Sequence, residues 1–150
     1  MKGIEDLKKF LQENEIEGYI VEFDRPVMSS EDARKLTNGK VVKSILLISD
    51  KGPILCILEG EKKIDFEKVK KLIDAKNIRL AKAKEVKEIT GYDIGALPPF
   101  AHNQKILTII DRAVFSYKEI YCGGGSHYSL LKIHSQSLKK FADIVGPITF

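Results

Sequence analysis

The sequence has few of the residues from which metal sites and disulfide frameworks are built. It contains two cysteines, Cys56 and Cys122, and both lie in apolar, strand-like runs, so we expect small buried hydrophobic residues and give less weight to a reactive thiol or a bridge. Its three histidines, His102, His127 and His134, lack the spacing of a metal site, and no acidic cluster completes one. We therefore expect no catalytic metal and no cofactor.

Long apolar runs are also absent. The runs Ile45–Ile48 and Ile106–Ile110 are far too short to cross a bilayer. Residues 1–12 mix charged and apolar residues at helical spacing, whereas a secretory signal places a basic stretch before an apolar one. These patterns predict a cytoplasmic protein with no membrane partner.

The length and the composition predict one globular domain. A chain of 150 residues with 43% apolar residues can bury a sizeable core without disulfides or metals, and it contains no internal repeat, low-complexity segment or linker. We therefore assign residues 1–150 to a single domain.

The net charge of +4 is small but unevenly placed along the chain. Residues 61–88 hold ten Lys/Arg and six Asp/Glu, whereas the rest of the chain holds fifteen of each. A local basic face can bind a phosphate backbone, although lysine-rich helix surfaces are commonly only solvated.

Hydrophobic periodicity and capping residues predict several helices and strands. Helices are expected over residues 4–11, from a Ser29-Ser30 cap to about Leu36, from an Asp65 cap through Ile73, over Lys84–Thr90, and from a Ser135 cap through Phe141. Strands are expected at Tyr19–Phe23, Val41–Ser49, Ile54–Leu58, Asn77–Ala81, Lys105–Ile110, Glu119–Cys122 and Tyr128–Ile133, with a hairpin turn at Asp50–Pro53. This order predicts an α+β fold with a largely antiparallel or mixed sheet.

Lys43 is the charged residue of most interest, because it lies in a strand that is otherwise strongly apolar. On a strand period of two it shares a face with Val41, Ile45 and Leu47. Such a lysine either buries its stem at the mouth of the strand with its ammonium group in water, or points into a pocket. In a pocket it would hold a phosphate or a carboxylate as a point charge.

The segment GYDIGALPPFAHNQ, residues 91–104, contains two glycines, two adjacent prolines and one histidine. Glycine permits close approach of a ligand to the backbone, and prolines stiffen the loop before binding. Free N–H groups on such a turn can polarise an ester carbonyl or hold an oxyanion. The alternative is a plain connection between a helix and a strand, with His102 as a structural hydrogen-bonding residue.

Two further turns are candidates for a site. Gly123-Gly124-Gly125-Ser126 fits neither of the two glycine-rich phosphate-binding motifs, GxGxxG and GxxxxGK[ST], so a tight turn between strands is the favoured interpretation. Asp111-Arg112 follows a predicted strand and can begin a turn. A nucleophile elbow, Gly-x-Ser-x-Gly, is absent.

Taken together, the strand Val41–Ile45, the hairpin after it and the segment Thr90–His102 resemble the YbaK / prolyl-tRNA editing domain family. The resemblance extends to the opening helix, the helix start at residues 29–33, Asp111 after a strand and the late glycine turn. The lysine strand followed by a Gly-x-x-x-Pro loop is the specific part of this pattern. Two departures are Ala96 and Ala101, which stand where glycine is usual in the family.

The resemblance implies a compact α/β domain with a mixed, barrel-like sheet and a site between the lysine strand and the glycine–proline loop. Family members are freestanding aminoacyl-tRNA deacylases, related to the insertion domain of bacterial prolyl-tRNA synthetases, and they act without a metal. By this resemblance Lys43 holds the phosphate of the terminal nucleotide, while the backbone from Gly95 to Pro99 positions the substrate carbonyl and a water. The remaining residues expected to bind substrate are Ala96, Leu97, Pro98, His102, Asp111, Gly123 and Gly124.

The resemblance implies that the substrate is a small amino acid such as cysteine or alanine on a mischarged tRNA, with tRNA-Pro as the expected carrier. The partners implied are the acceptor end of aminoacyl-tRNA and a synthetase such as prolyl-tRNA synthetase. Two other hypotheses remain open at this point. One is a non-catalytic module that binds tRNA or nucleotides, and the other is a hydrolase for a small ester unrelated to tRNA.

Overall fold

The computed structural model describes residues 1–150. Its α-helices are α1 (Ile4–Glu13), α2 (Ser30–Thr37), α3 (Phe66–Ile73) and α4 (Ala83–Thr90). Its strands are β1 (Gly18–Glu22), β2 (Val42–Ser49), β3 (Gly52–Glu59), β4 (Ile78–Leu80), β5 (Leu107–Asp111), β6 (Glu119–Gly123), β7 (Ser129–His134) and β8 (Ile144–Gly146). Short 3₁₀ helices occupy Ile94–Ala96, Arg112–Ser116 and Ser135–Phe141.

The predicted caps of α2 and α3 and the predicted end of α4 are confirmed. Ser29 Oγ accepts a hydrogen bond from the Asp32 N–H at 3.1 Å and begins α2. Asp65 caps α3 in the same manner, and Gly91 ends α4 in the left-handed conformation at φ 91°. Each cap satisfies backbone groups that the helix itself leaves unpaired.

The strands form two sheets, and the prediction of a mixed α+β fold is confirmed. The larger sheet has the order β4-β2-β3-β5-β8, in which β2 is antiparallel to both neighbours while β5 is parallel to β3 and β8. The smaller sheet, β1-β7-β6, is antiparallel throughout.

The two sheets meet at a single parallel bridge between Val41 and Tyr121, so the sheet is not closed into the barrel that the resemblance implies. Beyond that bridge β2 turns to pair with β4, and β6 continues beside β7. This divergence leaves a gap between β2 and β6.

The predicted hairpin is present, and its turn is tight. Ser49 pairs with Gly52, so only Asp50 and Lys51 lie between the two strands. Gly52 has φ 104°, a conformation that residues with a side chain rarely adopt. The hairpin places the apolar residues of β3 at the centre of the larger sheet, where Ile54 to Leu58 are almost fully buried.

Both cysteines are free and buried, as the sequence predicts. Burial raises the pKa of each thiol to about 12, because the thiolate form loses its hydration. At neutral pH both side chains are therefore uncharged packing residues.

The C-terminal segment differs from the prediction. Residues 135–141 form a 3₁₀ helix whose first N–H groups are capped by His134, since its Nδ1 accepts from the Gln136 N–H at 3.1 Å. The predicted cap, Ser135, is buried and donates its hydroxyl to the Tyr117 carbonyl. The short strand β8 was not predicted, since three residues carry too little periodicity.

Asp111 ends β5 and joins two distant parts of the chain. Its Oδ1 accepts from the Ile148 N–H at 2.9 Å, and its Oδ2 accepts from the Ala113 N–H at 3.1 Å. The side chain is buried, so both N–H groups would lose their only partner if it were removed.

We predict that Asp111→Ala lowers the free energy of unfolding by about 2 to 5 kcal/mol, because two N–H donors are left unpaired. Urea denaturation measures this loss. Asp50→Ala is the matched control, since Asp50 Oδ1 also accepts two N–H groups, from Lys76 and Asn77, but at an exposed site where water can replace it. Equal losses in the two variants would contradict the assignment of Asp111 to the core.

Candidate functional site

The gap between β2 and β6 is a cavity of about 310 Å³. Its walls come from the segment before α2, the first half of β2, the turn after β4, the Ile94–Ala96 loop and the end of β6. The lining residues are Val27, Met28, Ser29, Ser30, Ala33, Val41, Val42, Lys43, Ser44, Ile45, Leu46, Leu80, Ala81, Ile94, Gly95, Leu97, Cys122, Gly123 and Leu130. Most of them are apolar, which favours a small ligand with limited polar surface.

Lys43 is the single charged residue in this lining. Its side chain is half-buried, and burial lowers its pKa below the ordinary value of 10.5, with a further decrease caused by the positive charge of Lys63. No carboxylate compensates the ammonium group. An uncompensated cation in an apolar cavity can bind an anion, because a bound anion would replace the lost hydration.

The start of α2 forms the wall that Ser29 and Ser30 contribute. The Ser29 hydroxyl is occupied by its capping bond to Asp32. The first N–H groups of a helix have no partner inside it, so this wall offers backbone N–H donors, while Glu31 and Asp32 place acidic side chains in the same turn.

The glycine–proline loop forms a neighbouring wall, since a Cβ atom at Gly95 would lie 3.3 Å from the Met28 carbonyl oxygen. Its 3₁₀ turn is closed by a hydrogen bond from the Ala96 N–H to the Asp93 carbonyl at 3.0 Å, and the Ala96 carbonyl accepts from the Gly125 N–H at 3.0 Å. The Gly95 N–H lies in the first turn, where a helix offers no internal partner. The glycine turn at 123–125 therefore supports this loop through the Gly125 N–H.

Gly123 is the point of closest approach between the loop and β6. A Cβ atom at this position would lie 2.0 Å from the Leu97 carbonyl oxygen and 2.6 Å from its carbon. Only glycine lets the two backbones pack at this distance. Gly124 is similarly confined, since its Cβ would lie 2.6 Å from the backbone of Ser129 and Leu130.

The structure brings together some of the sequence-predicted site residues and separates others. Lys43, Gly95, Leu97 and Gly123 line the cavity. The rest do not reach it: Ala96, Pro98 and Pro99 are buried in the loop, Gly124 packs behind it, Asp111 lies in the core, and His102 faces a different groove that Pro99 also lines.

His102 holds the loop from the side away from the cavity. Its Nε2 donates to the Pro98 carbonyl at 2.9 Å, and its ring meets the Tyr92 ring edge-on. Burial lowers the pKa of the imidazole, so it is neutral near pH 7. Tyr92 in turn donates its hydroxyl to the carbonyl of Ala101, which has φ 68°. Glycine adopts this left-handed backbone conformation with less steric strain than alanine does.

His127 is a site-proximal residue that the sequence interpretation did not select. Its Nε2 lies 3.4 Å from Asp93 Oδ2, and its buried Nδ1 has no hydrogen-bond partner. A Cβ added to Gly95 would lie 3.1 Å from its ring. Its position directly after the glycine turn is the one sequence feature that could have pointed to His127. The packing of that turn against the loop depends on tertiary structure and cannot be predicted from local sequence.

No group of three or more metal-binding side chains comes together anywhere in the structure. None of the helices combines the length and the apolar character that crossing a membrane requires.

Comparison with protein families gives one match that covers most of the chain: residues 24–141 fit the family described as the aminoacyl-tRNA editing domain. Among individual proteins, the chain is 34% identical over 90 residues to the proline–tRNA ligase of Lactobacillus johnsonii, a region that is 60% of this chain and 15% of the ligase. It is 30% identical over 97 residues to the proline–tRNA ligase of a Geobacillus species, covering 63% of this chain and 17% of that enzyme. The chain thus spans a small part of these relatives.

Solved structures share the fold over nearly the full length. A hypothetical protein superposes with a TM-score of 0.90 at 25% identity, covering 97% of this chain and 99% of the other. A protein proposed to be a trans-editing enzyme for prolyl tRNA synthetase superposes with a TM-score of 0.88 at 23% identity, covering 98% and 96%.

We predict that Gly123→Ala displaces the Leu97 carbonyl and lowers the free energy of unfolding by about 1 to 3 kcal/mol, as overpacking in a closed space does. Thermal or urea denaturation measures the change. Gly3→Ala is the control, because a Cβ there meets no atom within 4 Å. If Gly123→Ala were as stable as Gly3→Ala, the loop would not be held by this contact.

Proposed function

The chain belongs to the aminoacyl-tRNA editing domain family, as its sequence motifs predict, and we propose that it is a deacylase that hydrolyses the ester of a mischarged tRNA in trans. The observation that carries this proposal is the single uncompensated lysine in an apolar cavity, facing a rigid glycine–proline loop. A terminal nucleotide esterified with an amino acid offers the matching chemistry: a phosphate, a small side chain and an activated carbonyl.

The substrate we propose carries a small amino acid, such as cysteine or alanine, on tRNA-Pro. A cavity of about 310 Å³ lies at the lower end of the range for ligand sites, so its apolar walls would exclude larger side chains. The choice of tRNA is supported by the similarity to proline–tRNA ligases. A synthetase such as prolyl-tRNA synthetase is the proposed partner, and it would supply the mischarged tRNA.

Lys43 is proposed to hold the phosphate of the terminal nucleotide. Its charge has no internal partner, so the binding of a phosphate would not require an existing ion pair to break. A charge-assisted contact of this kind is stronger in an apolar wall than on an open surface.

The loop from Gly95 to Pro99 is proposed to orient the ester carbonyl and the attacking water. Water adds to the carbonyl carbon, the carbonyl oxygen becomes an oxyanion, and the tetrahedral intermediate collapses by breaking the bond to the ribose oxygen, which leaves with a proton. The Gly95 N–H is the loop donor available to this oxyanion. The adjacent ribose hydroxyl of the substrate can relay the proton, so no strong base on the protein is required.

The remaining predicted residues are proposed to act by shaping these two walls. Ala96, Leu97 and Pro98 set the position of the loop, and Gly123 and Gly124 let it pack closely against β6. His102 fixes the Pro98 carbonyl from outside the cavity, and Asp111 holds the end of β5. We assign no proton transfer to His102, because its Nε2 is occupied and it does not face the cavity.

The basic segment 61–88 is proposed to contact phosphates of the acceptor end. Several of its cations are already paired, for example Arg79 with Glu85 at 2.8 Å, so the excess positive charge comes from residues without such partners. Binding that depends on phosphate neutralisation weakens as salt is added.

We predict that Lys43→Ala reduces deacylation to the rate of uncatalysed hydrolysis while the free energy of unfolding changes by less than about 1 kcal/mol, because Lys43 has no ion pair to lose. The assay follows release of the amino acid from tRNA-Pro charged with alanine, cysteine, serine or proline, with and without prolyl-tRNA synthetase.

Turnover by Lys43→Ala at the wild-type rate would show that the site is elsewhere. Binding of tRNA with no turnover of any substrate would favour a non-catalytic module, and turnover of simple esters alone would favour a small-ester hydrolase.

We predict that binding of an RNA ending in CCA weakens as the pH rises through the lowered pKa of Lys43. Burial places the pKa of Lys43 below 10.5, so Lys43 loses its positive charge at a lower pH than an ordinary lysine does. Fluorescence anisotropy against pH measures the profile. Lys43→Arg, whose guanidinium stays charged, should move the decline to higher pH; identical profiles for the two proteins would exclude Lys43 as the phosphate contact.

A further inference from the structure

The edge of β2 that faces the cavity has no strand beside it. Along its other edge β2 pairs with β3 from Val42 to Ser49. On the cavity side β4 pairs only with Leu47–Ser49, and β6 meets the chain only at the Val41–Tyr121 bridge. The residues between these two contacts, 42–46, line the cavity.

The alternation of a β-strand determines which backbone groups point toward this open edge. The Lys40 carbonyl accepts from the Tyr121 N–H at 2.8 Å, and the Leu46 carbonyl accepts from the Ala81 N–H at 3.0 Å. Both bonds lie on the cavity side, so the residues at even positions direct their N–H and C=O groups there. Ser44 is an even position between them, and both of its backbone groups face the gap.

Ser44 therefore presents one donor and one acceptor that no strand satisfies. Most buried backbone groups in proteins are hydrogen-bonded, because an unpaired group away from water is costly. Ser44 is half-buried, and its neighbours in the cavity are mainly apolar side chains that offer no hydrogen bonds. A ligand with an N–H donor and a carbonyl acceptor at the spacing of one amino-acid residue would satisfy both groups at once.

We propose that the aminoacyl group of the substrate adds to β2 at Ser44 as a single residue of an antiparallel strand. Its α-ammonium group donates to the Ser44 carbonyl, and its ester carbonyl accepts from the Ser44 N–H, which is the pair of bonds that two opposed residues exchange in an antiparallel sheet. This inference rests on the proposed deacylase function. It names the free α-amino group as a required feature of the substrate.

The Ser44 N–H then also takes part in the reaction. A carbonyl oxygen has two lone pairs, so the Ser44 N–H can occupy one while the glycine–proline loop occupies the other. When water adds to the carbonyl carbon, the oxygen becomes negative and the bond to the N–H strengthens. The cavity would thus bind the ester between a strand edge and a loop, with backbone donors on both sides.

Proline at position 44 tests the donor directly. Ser44→Pro removes the N–H on the cavity side. The Val41 carbonyl accepts from the Gly60 N–H at 2.8 Å, so odd positions of β2 bond to β3 and the loss of the Ser44 N–H leaves those bonds intact. Ser44→Ala, which removes the hydroxyl and keeps the N–H, is the reference. We expect kcat/KM for aminoacyl-tRNA to be at least 30-fold lower in Ser44→Pro than in Ser44→Ala, with both variants folded by circular dichroism. Equal values in the two folded variants would overturn the proposal.

A substrate change tests the acceptor and does not depend on the folding of a variant. The wild-type protein is given tRNA that carries either an alanyl or a propionyl ester. The two esters differ only by the α-amino group. Each enzymatic rate is divided by the spontaneous hydrolysis rate of the same ester. We expect the normalised rate to fall at least 10-fold for the propionyl ester. A normalised rate that is the same for both esters would show that Ser44 does not bind the amino group.

These outcomes are distinguishable from a failure of the proposed function itself. If the wild-type protein hydrolyses no aminoacyl-tRNA, the deacylase proposal is wrong, and the strand-addition proposal is overturned with it. If the wild type is active and both comparisons give equal rates, only the role of Ser44 is wrong.

Discussion

The close packing of the Leu97 carbonyl against Gly123 is the contact on which the site depends. The chain before β2 meets the middle of β6 at the Val41–Tyr121 bridge, and the two strands then diverge, which opens a gap between the sheets. The glycine–proline loop forms the far wall of that gap only because β6 carries no side chain where the loop crosses it. Any side chain at residue 123 would move this wall and change the width of the cavity.

The cavity combines an apolar lining with few polar groups, and each polar group has a distinct environment. Lys43 carries an uncompensated charge, and the start of α2 offers N–H groups. Ser44 offers the backbone N–H and C=O of an unpaired strand edge. The titratable histidine nearest in sequence, His102, is neutral and faces away. This distribution favours catalysis by orientation and oxyanion support over catalysis by a protein base.

The sequence was sufficient to predict most helices, the hairpin and the mixed sheet, because these features have local signatures such as caps and alternation. The association of Lys43 with the Gly95 loop was implied by the family resemblance and not by local signatures. It was not sufficient for contacts between distant segments. The burial of Asp111 against Ile148, the side of the loop on which His102 lies and the packing of Gly123 all depend on tertiary structure. The same limit explains why the sequence does not single out His127, whereas β8 escapes prediction because three residues carry too little periodicity.

The proposed site binds the aminoacyl ester of a terminal nucleotide between β2 and the glycine–proline loop. It is tested most directly by titrating ¹⁵N-labelled protein with an aminoacyl-adenosine 5′-monophosphate in which an amide replaces the ester, so that it cannot be hydrolysed. We expect the amide signals of Lys43, Ser44, Gly95 and Gly123 to shift together and to saturate at one concentration. Shifts confined to the groove around His102 and Phe141, or no shifts at any concentration, would contradict it.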